Sequence, residues 1–287
     1  MKISKIISLL NFVHHKLIYK HKSIRNKIYN IISQNKNNLY DYGEGFFYQS
    51  VPPISLKGLR DTKKRINKLN LNNYLKDSTF LDIGTNIGSI PLSLNNEFIF
   101  GIGIDHNETT ILVAEEIRKY LNINKVKFIS GDFLNYEFNK TFDVILSLAN
   151  HSTFDEGIKN TELYFKKIYS LLEKNGILIV ESHNPLYEKS EIYLEIIKNL
   201  EDHYETIEYG KYDFGNFYDK NRLFHILKKK IYIKILLQNH SMRFLKYSFP
   251  TGLQYIQKGK SAVKDITRIC FGHLMLKTVC IYGVISL

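Results

Sequence analysis

The sequence predicts an α/β fold built on an open, largely parallel sheet, and three observations predict it. The run Thr79-Phe80-Leu81-Asp82-Ile83 is short and apolar, as suits a strand buried on both faces, and it leads into the glycine turn and helix start Gly84-Thr85-Asn86-Ile87-Gly88-Ser89-Ile90. Two further apolar runs, 98–104 and 126–129, end in the same way at an acid, Asp105 and Asp132. Helical periodicity at 108–120 and 161–174 alternates with these runs, the pattern of strand–helix–strand units.

The glycine turn is the centre of the prediction. Gly84 and Gly88 bracket a stretch where backbone must bend sharply or lie close to a ligand, and Pro91 is tolerated in the first helical turn. A dinucleotide fingerprint needs G-x-G-x-x-G, and here Asn86 and Ser89 stand where its second and third glycines would be. The observed pattern is D-x-G-x-x-x-G. An acid beside the loop repels a phosphate and attracts a cation. The bland alternative is a glycine turn in an ordinary strand–helix unit.

This loop resembles motif I of the class I S-adenosylmethionine-dependent methyltransferases, in its Asn-Ile-Gly variant. The resemblance implies S-adenosylmethionine as cofactor, S-adenosylhomocysteine as product, and cofactor contacts from Asp82, Gly84, Asn86 and Gly88. Asp105, with His106 beside it, lies where the family's acid accepts both ribose hydroxyls, about 20 residues beyond the loop. Gly131-Asp132-Phe133 is similar to the triplet in which the acid takes the adenine amino group and the aromatic packs on the ring. Phe142 to Asn150 reads as the fourth strand, with Ser147 and Asn150 implied as cofactor-side residues at its end. A helix over Thr161 to Lys174, closed by Asn175-Gly176, precedes a fifth strand over Ile177 to Glu181. Tyr204 to Glu208 and Leu223 to Lys228 supply a closing antiparallel pair. The family's sheet is Rossmann-like and seven-stranded, in the order 3-2-1-4-5-7-6, and the resemblance covers roughly residues 40 to 230.

Ahead of motif I, Asp41 to Arg65 carries glycines, Pro52-Pro53 and several aromatics, the composition of an ordered loop. Its Tyr48-Gln49 pair and its Gly58, Arg60, Thr62 and Arg65 resemble the corresponding segment of a bacterial methyltransferase group. That implies Tyr48, Gln49 and Arg60 at the cofactor, Tyr48 offering a ring face to the sulfonium and Arg60 pairing with the methionine carboxylate. Aromatic packing against the sheet explains the segment equally well.

Composition bounds the rest. A chain of 287 residues, 44% hydrophobic and 24% charged, is long enough for one sizeable α/β domain with terminal additions or for two small domains. Three parts are expected: a basic amphipathic helical segment over 1–40, a methyltransferase domain over 41–230, and an extension over 231–287 of unassigned role. Ile3, Ile6, Ile7, Leu10, Val13 and Leu17 recur at helical steps in the first part. It is too short to span a bilayer; it either packs on the domain or touches anionic lipid peripherally. Cys270 and Cys280 form no C-x-x-C pair, no metal cluster has credible spacing, and a reducing cytoplasm is the expected compartment.

The net charge of +12 is gathered at the two ends: no acid precedes Asp41, and Asp265 is the one acid after Lys220. Either these ends form an anion-facing surface, or the Lys-, Asn- and Ile-rich composition reflects AT-rich codon usage.

For catalysis, His151 and His183 each follow a predicted strand at the sheet's carboxyl edge, where ligands bind in open α/β folds. One of them, His151 by preference, is the candidate base for an acceptor hydroxyl; the alternative is a histidine that caps or packs. The Asn/Asp-Pro-Pro-aromatic motif of base-amino methylation is absent after strand four, where Asn150-His151-Ser152-Thr153 stands. The expected activity is O-methylation of a sugar, glycan precursor or other small hydroxylated metabolite. The rivals are an RNA methyltransferase and a catalytically silent binding protein of the same fold.

Overall fold

The computed structural model describes residues 20–35, 47–151, 161–185, 188–214 and 220–231. Strands β3 (Thr79–Ile83), β4 (Phe100–Asp105), β5 (Val126–Ser130), β6 (Phe142–Leu148), β7 (Leu172–Glu181), β8 (Tyr204–Tyr212) and β9 (Arg222–Lys229) form one sheet in the order β5-β4-β3-β6-β7-β9-β8. Strands β3 to β7 pair in parallel, and β9 runs antiparallel to both of its neighbours. Counted within this sheet alone, the order is the expected 3-2-1-4-5-7-6. The order reverses between β3 and β6, so a crevice opens beyond their carboxyl ends, directly at the glycine turn.

Alternation along the strands loads both faces. Phe80, Val144, Leu146 and Ile226 enter one core with α4 (Ser89–Ser93) and α5 (Glu108–Tyr120). Leu81, Ile83, Ile145, Leu178 and Leu227 enter the other with α6 (Thr161–Leu171) and α7 (Ser190–Leu200). Strands buried on both faces read as continuous apolar runs, which is why these were legible.

Before the sheet come α1 (Lys22–Gln34), the short parallel pair β1 (Phe47–Gln49) and β2 (Gly58–Arg60), and helices α2 (Thr62–Lys68) and α3 (Leu71–Leu75). Helix α1 buries Ile24 and Ile28 and lies along α5, where Lys27 pairs with Glu116 and the Tyr120 hydroxyl donates to Lys20 O at 2.9 Å. Its Arg25 donates to Ser55 O at 2.7 Å. This part of the N-terminal segment therefore packs on the domain. The apolar repeat over 1–17 and the extension beyond 231 lie outside the described residues.

Three boundaries differ from expectation. Helix α6 ends at Leu171, not Lys174, because Leu172 already pairs with Phe142; the Asn175 turn (φ 64°) lies inside β7 as an irregularity. Strand β4 starts at Phe100, since Phe98 turns into the core against Phe80, ring centroids 4.7 Å apart. The antiparallel pair is longer than expected on both strands.

Candidate active site

The site grows from the β3–α4 turn. Gly84 and Gly88 adopt φ of +69° and +70°, and Asn86 a φ of 53°, so left-handed residues bend the chain back on itself. The Gly84 and Thr85 amides donate to Ile104 O at 2.9 and 3.0 Å, which ties the turn to the end of β4. A Cβ on Gly84 would stand 2.9 Å from Asn150 Nδ2, and one on Gly88 would overlap the Phe128 ring. Both glycines are needed for close approach.

Two acids flank the turn. The Asp105 carboxylate accepts from Asn86 N at 2.8 Å and from Asn107 N at 2.9 Å, so it is held at the loop. Asp82 is buried in β3 and accepts from Thr85 Oγ1 at 2.7 Å. Burial pushes the Asp82 carboxyl up to about 7; the Thr85 bond and the charge of Arg65 oppose this, and the charge of Asp105 adds to it. Two carboxyls this close disfavour a phosphate and favour a cation. His106 lies exposed beside them, its Nδ1 3.7 Å from Asp105.

The end of β6 is locked onto β3. Asn150 Nδ2 donates to Ile83 O, while Asn150 Oδ1 accepts from Ser147 Oγ at 2.8 Å and from the Tyr164 hydroxyl at 3.1 Å. Ser147 and Asn150 are thus buried supports of the turn. The next residue, His151, is 1% exposed, and its Nε2 lies 3.0 Å from Glu188 Oε1. Its Nδ1 meets no hydrogen-bond partner among the described residues.

His183, after β7, is half-buried; its backbone N–H donates to Glu188 Oε2 at 2.6 Å. Burial, then the charges of Arg222 and Arg60, push its imidazole down to about 4, so it is neutral at pH 7 and a weak base. The two candidate histidines are therefore joined through one carboxylate.

Several expected contacts are placed differently. The Arg60 guanidinium stacks on the Tyr48 ring, 3.8 Å from its centroid, so the residues expected at opposite ends of the methionine moiety cover each other. Gln49 is buried and accepts from Thr62 Oγ1 at 3.4 Å. Phe133 lies inside the core against Tyr164, centroids 5.2 Å apart, and has no open face for an adenine ring. The exposed Asp132 caps its own turn, accepting from Leu134 N at 2.9 Å and Asn135 Nδ2 at 2.6 Å.

Sequence reasoning missed the network beneath the site. Glu181, fully buried, accepts from Arg65 Nε at 2.9 Å and NH2 at 2.5 Å, from Arg222 NH1 at 3.1 Å, and from the Tyr212 hydroxyl. Burial raises the Glu181 carboxyl, but Arg65 and Arg222 overcome it and hold it at about 2. This network joins α2 to the ends of β7, β8 and β9. Its one sequence signal was an acid closing an otherwise apolar strand. Glu188, isolated in a loop, carried no signal.

The comparisons with known proteins agree with this geometry. Residues 75–240 match the family described as a methyltransferase domain. Release factor glutamine methyltransferase of Buchnera aphidicola subsp. Baizongia pistaciae is 30% identical over 152 residues, 50% of this chain and 54% of that protein. Ribosomal RNA small subunit methyltransferase G of Legionella pneumophila (strain Corby) is 29% identical over 115 residues, 38% of this chain and 55% of that protein. The chain spans about half the length of these curated relatives. In three dimensions, N-methyltransferase NodS of Bradyrhizobium japonicum WM9, in complex with S-adenosylhomocysteine, shares the fold at a TM-score of 0.50 and 16% identity, over 58% of this chain and 86% of that one. With the motif I turn, the matched sheet order and a family match over more than half its length, the chain belongs to the methyltransferase domain family.

Proposed function

We propose that this methyltransferase acts on an oxygen of a small hydroxylated acceptor, a sugar or glycan precursor, with His151 as the base. The observation that carries the reading is the buried imidazole of His151, with Nδ1 unpartnered among the described residues, directly after the residue that locks β6 under the glycine turn.

The residues present fit S-adenosylmethionine. The acid pair Asp82 and Asp105 suits a sulfonium and an ammonium, and the left-handed Gly84 and Gly88 fold the turn tightly beside it, against Asn150 and Phe128. When bound, the cofactor supplies an electrophilic methyl for in-line displacement.

Asp105 accepts ribose hydroxyls with its remaining lone pairs while staying fixed to Asn86 N. Asn150 and Ser147 hold the floor of the turn rigid. His151 would take the acceptor hydroxyl's proton at Nδ1 and later release it to solvent, leaving the oxygen free to accept the methyl that the bound cofactor would supply. His183, held near 4, is the weaker base.

The test is methyl transfer to a panel of sugars and small hydroxylated metabolites, read as S-adenosylhomocysteine released, for the wild type and His151→Ala. Turnover lost in the variant, about 100-fold or more, supports the reading. Unchanged turnover on the accepted substrate ends it.

A second reading, methylation of RNA, is favoured by the charge of the N-terminal part. Lys20, Lys22, Lys57, Lys63, Lys68 and Lys76 are exposed, and Asp61 and Asp77 are the acids among the described residues from 20 to 78. RNA binding that falls steeply with salt would bring it forward.

A further inference from the structure

Glu188 sits in the connection between β7 and α7, 37 residues from His151 in sequence, and a turn closed by its own N–H on Asn184 O at 3.0 Å folds it back under the end of β7. We propose that Glu188 is the positioning residue of the site: it fixes His151 as the Nε2–H tautomer and thereby presents the Nδ1 lone pair as the proton acceptor. This inference rests on the oxygen-acceptor reading above.

The geometry carries it. The His151 and Glu188 side chains are 0% and 3% exposed, so water does not compete for their 3.0 Å contact. Oε2 of Glu188 accepts from the His183 N–H at 2.6 Å, while Oε1 faces His151 Nε2 at 3.0 Å. Burial raises the Glu188 carboxyl, but the bond from His151 and the His183 amide hold it below the usual carboxylate range, so it is ionised. An ionised carboxylate only accepts; Nε2 must therefore carry the hydrogen, and a neutral ring then has its lone pair on Nδ1. The ring is flanked by Phe165 and Tyr193, centroids 6.1 and 5.9 Å away. The Tyr193 hydroxyl is engaged elsewhere, by Val180 O at 3.2 Å and His225 Nδ1 at 3.0 Å. A structural ion pair needs only Nε2. A buried Nδ1 without a partner among the described residues, beside the residue clamped under the glycine turn, fits a base awaiting its substrate.

The same carboxylate also binds the chain that follows β7. Glu188 therefore sets the imidazole relative to the ends of both β6 and β7, which pair in parallel.

The test is long-range nitrogen–proton NMR of the histidine rings in the full chain labelled with 15N-histidine, for the wild type, Glu188→Gln and Glu188→Ala, assigned with His151→Ala. Calorimetric binding of S-adenosylmethionine shows that each variant keeps its fold. The expected result is His151 as the Nε2–H tautomer by tenfold or more in the wild type, and loss of that preference in Glu188→Ala with cofactor binding unchanged. In turnover, kcat falls about 10- to 100-fold while KM for the acceptor holds. An Nδ1–H tautomer in the wild type overturns the inference together with the base role of Nδ1, whereas a tautomer indifferent to Glu188 overturns the inference and leaves the oxygen-acceptor reading standing. The reading itself fails if His151→Ala keeps its turnover, whatever the tautomer, and the base role assigned to Nδ1 falls with it.

Discussion

Asp105 Oδ2 accepts the backbone N–H of Asn86 at 2.8 Å, so the carboxylate closing the second parallel strand is also a strut of the turn closing the first. Loss of this carboxylate loosens the turn and, on the role proposed above, would also remove a contact to the ribose. Asp105→Ala is expected to weaken S-adenosylmethionine binding by about 10- to 100-fold, the worth of one charge-assisted hydrogen bond. Calorimetric titration checks this, with NAD as the control ligand.

Gly88→Ala tests the turn's backbone. The new methyl would overlap the Phe128 ring, and a φ of +70° is strained for any residue with a side chain. Overpacking costs about 1–3 kcal/mol and the left-handed backbone about 1–2 kcal/mol more. Urea unfolding should show a lower midpoint at unchanged slope.

Glu181→Gln strips the charge from a carboxylate that holds two buried guanidiniums. A loss of about 3–5 kcal/mol is expected, because Arg65 and Arg222 remain buried without their counter-charge. The same pairing gives a pH signature. The Glu181 carboxyl sits at about 2, below its ordinary 4.5, so its stabilisation is complete above pH 4.5 and is lost as pH falls toward 2. Acid unfolding of the wild type should show that loss, and Glu181→Gln should lack it.

Asp82 behaves in the opposite sense. Its carboxyl is raised from 3.8 to about 7, so in the free protein its contribution to stability is greatest below pH 3.8 and declines as pH rises toward 7. A cation binds the ionised form better. Affinity for S-adenosylmethionine should rise through pH 7, with a proton released on binding. Asp82→Asn should flatten both trends, as calorimetry in buffers of different ionisation enthalpy would show.

The parts legible in the sequence were those whose determinants are local. Thr79–Ile83 and the turn after it were readable because strand, glycines and helix start adjoin, and Asp105 because the strand–helix–strand repeat has a nearly constant length. The helix before β7 was over-extended by three residues, since Leu172-Glu173-Lys174 suits a helix as well as a strand; pairing of Leu172 with Phe142 decided it. Phe133 and Tyr48 share one ambiguity. An aromatic beside a motif serves a ligand or a core equally well, and only the neighbours, Tyr164 for one and Arg60 for the other, distinguish the two.

By itself, then, the sequence determined the buried strands, the glycine turn and the acids at the strand ends, because these follow from periodicity, backbone sterics and short chain separations, while the sheet order came from the family resemblance that those motifs carry. Only the tertiary structure decided that Arg65, Glu181 and Arg222 share one buried charge network and that Glu188 faces His151. These residues lie 116, 41 and 37 positions apart, and at such separations no local propensity records which partner will meet a buried charge. The partner is selected by the cost of leaving that charge unpaired once water has been excluded, a condition that exists only in the folded chain.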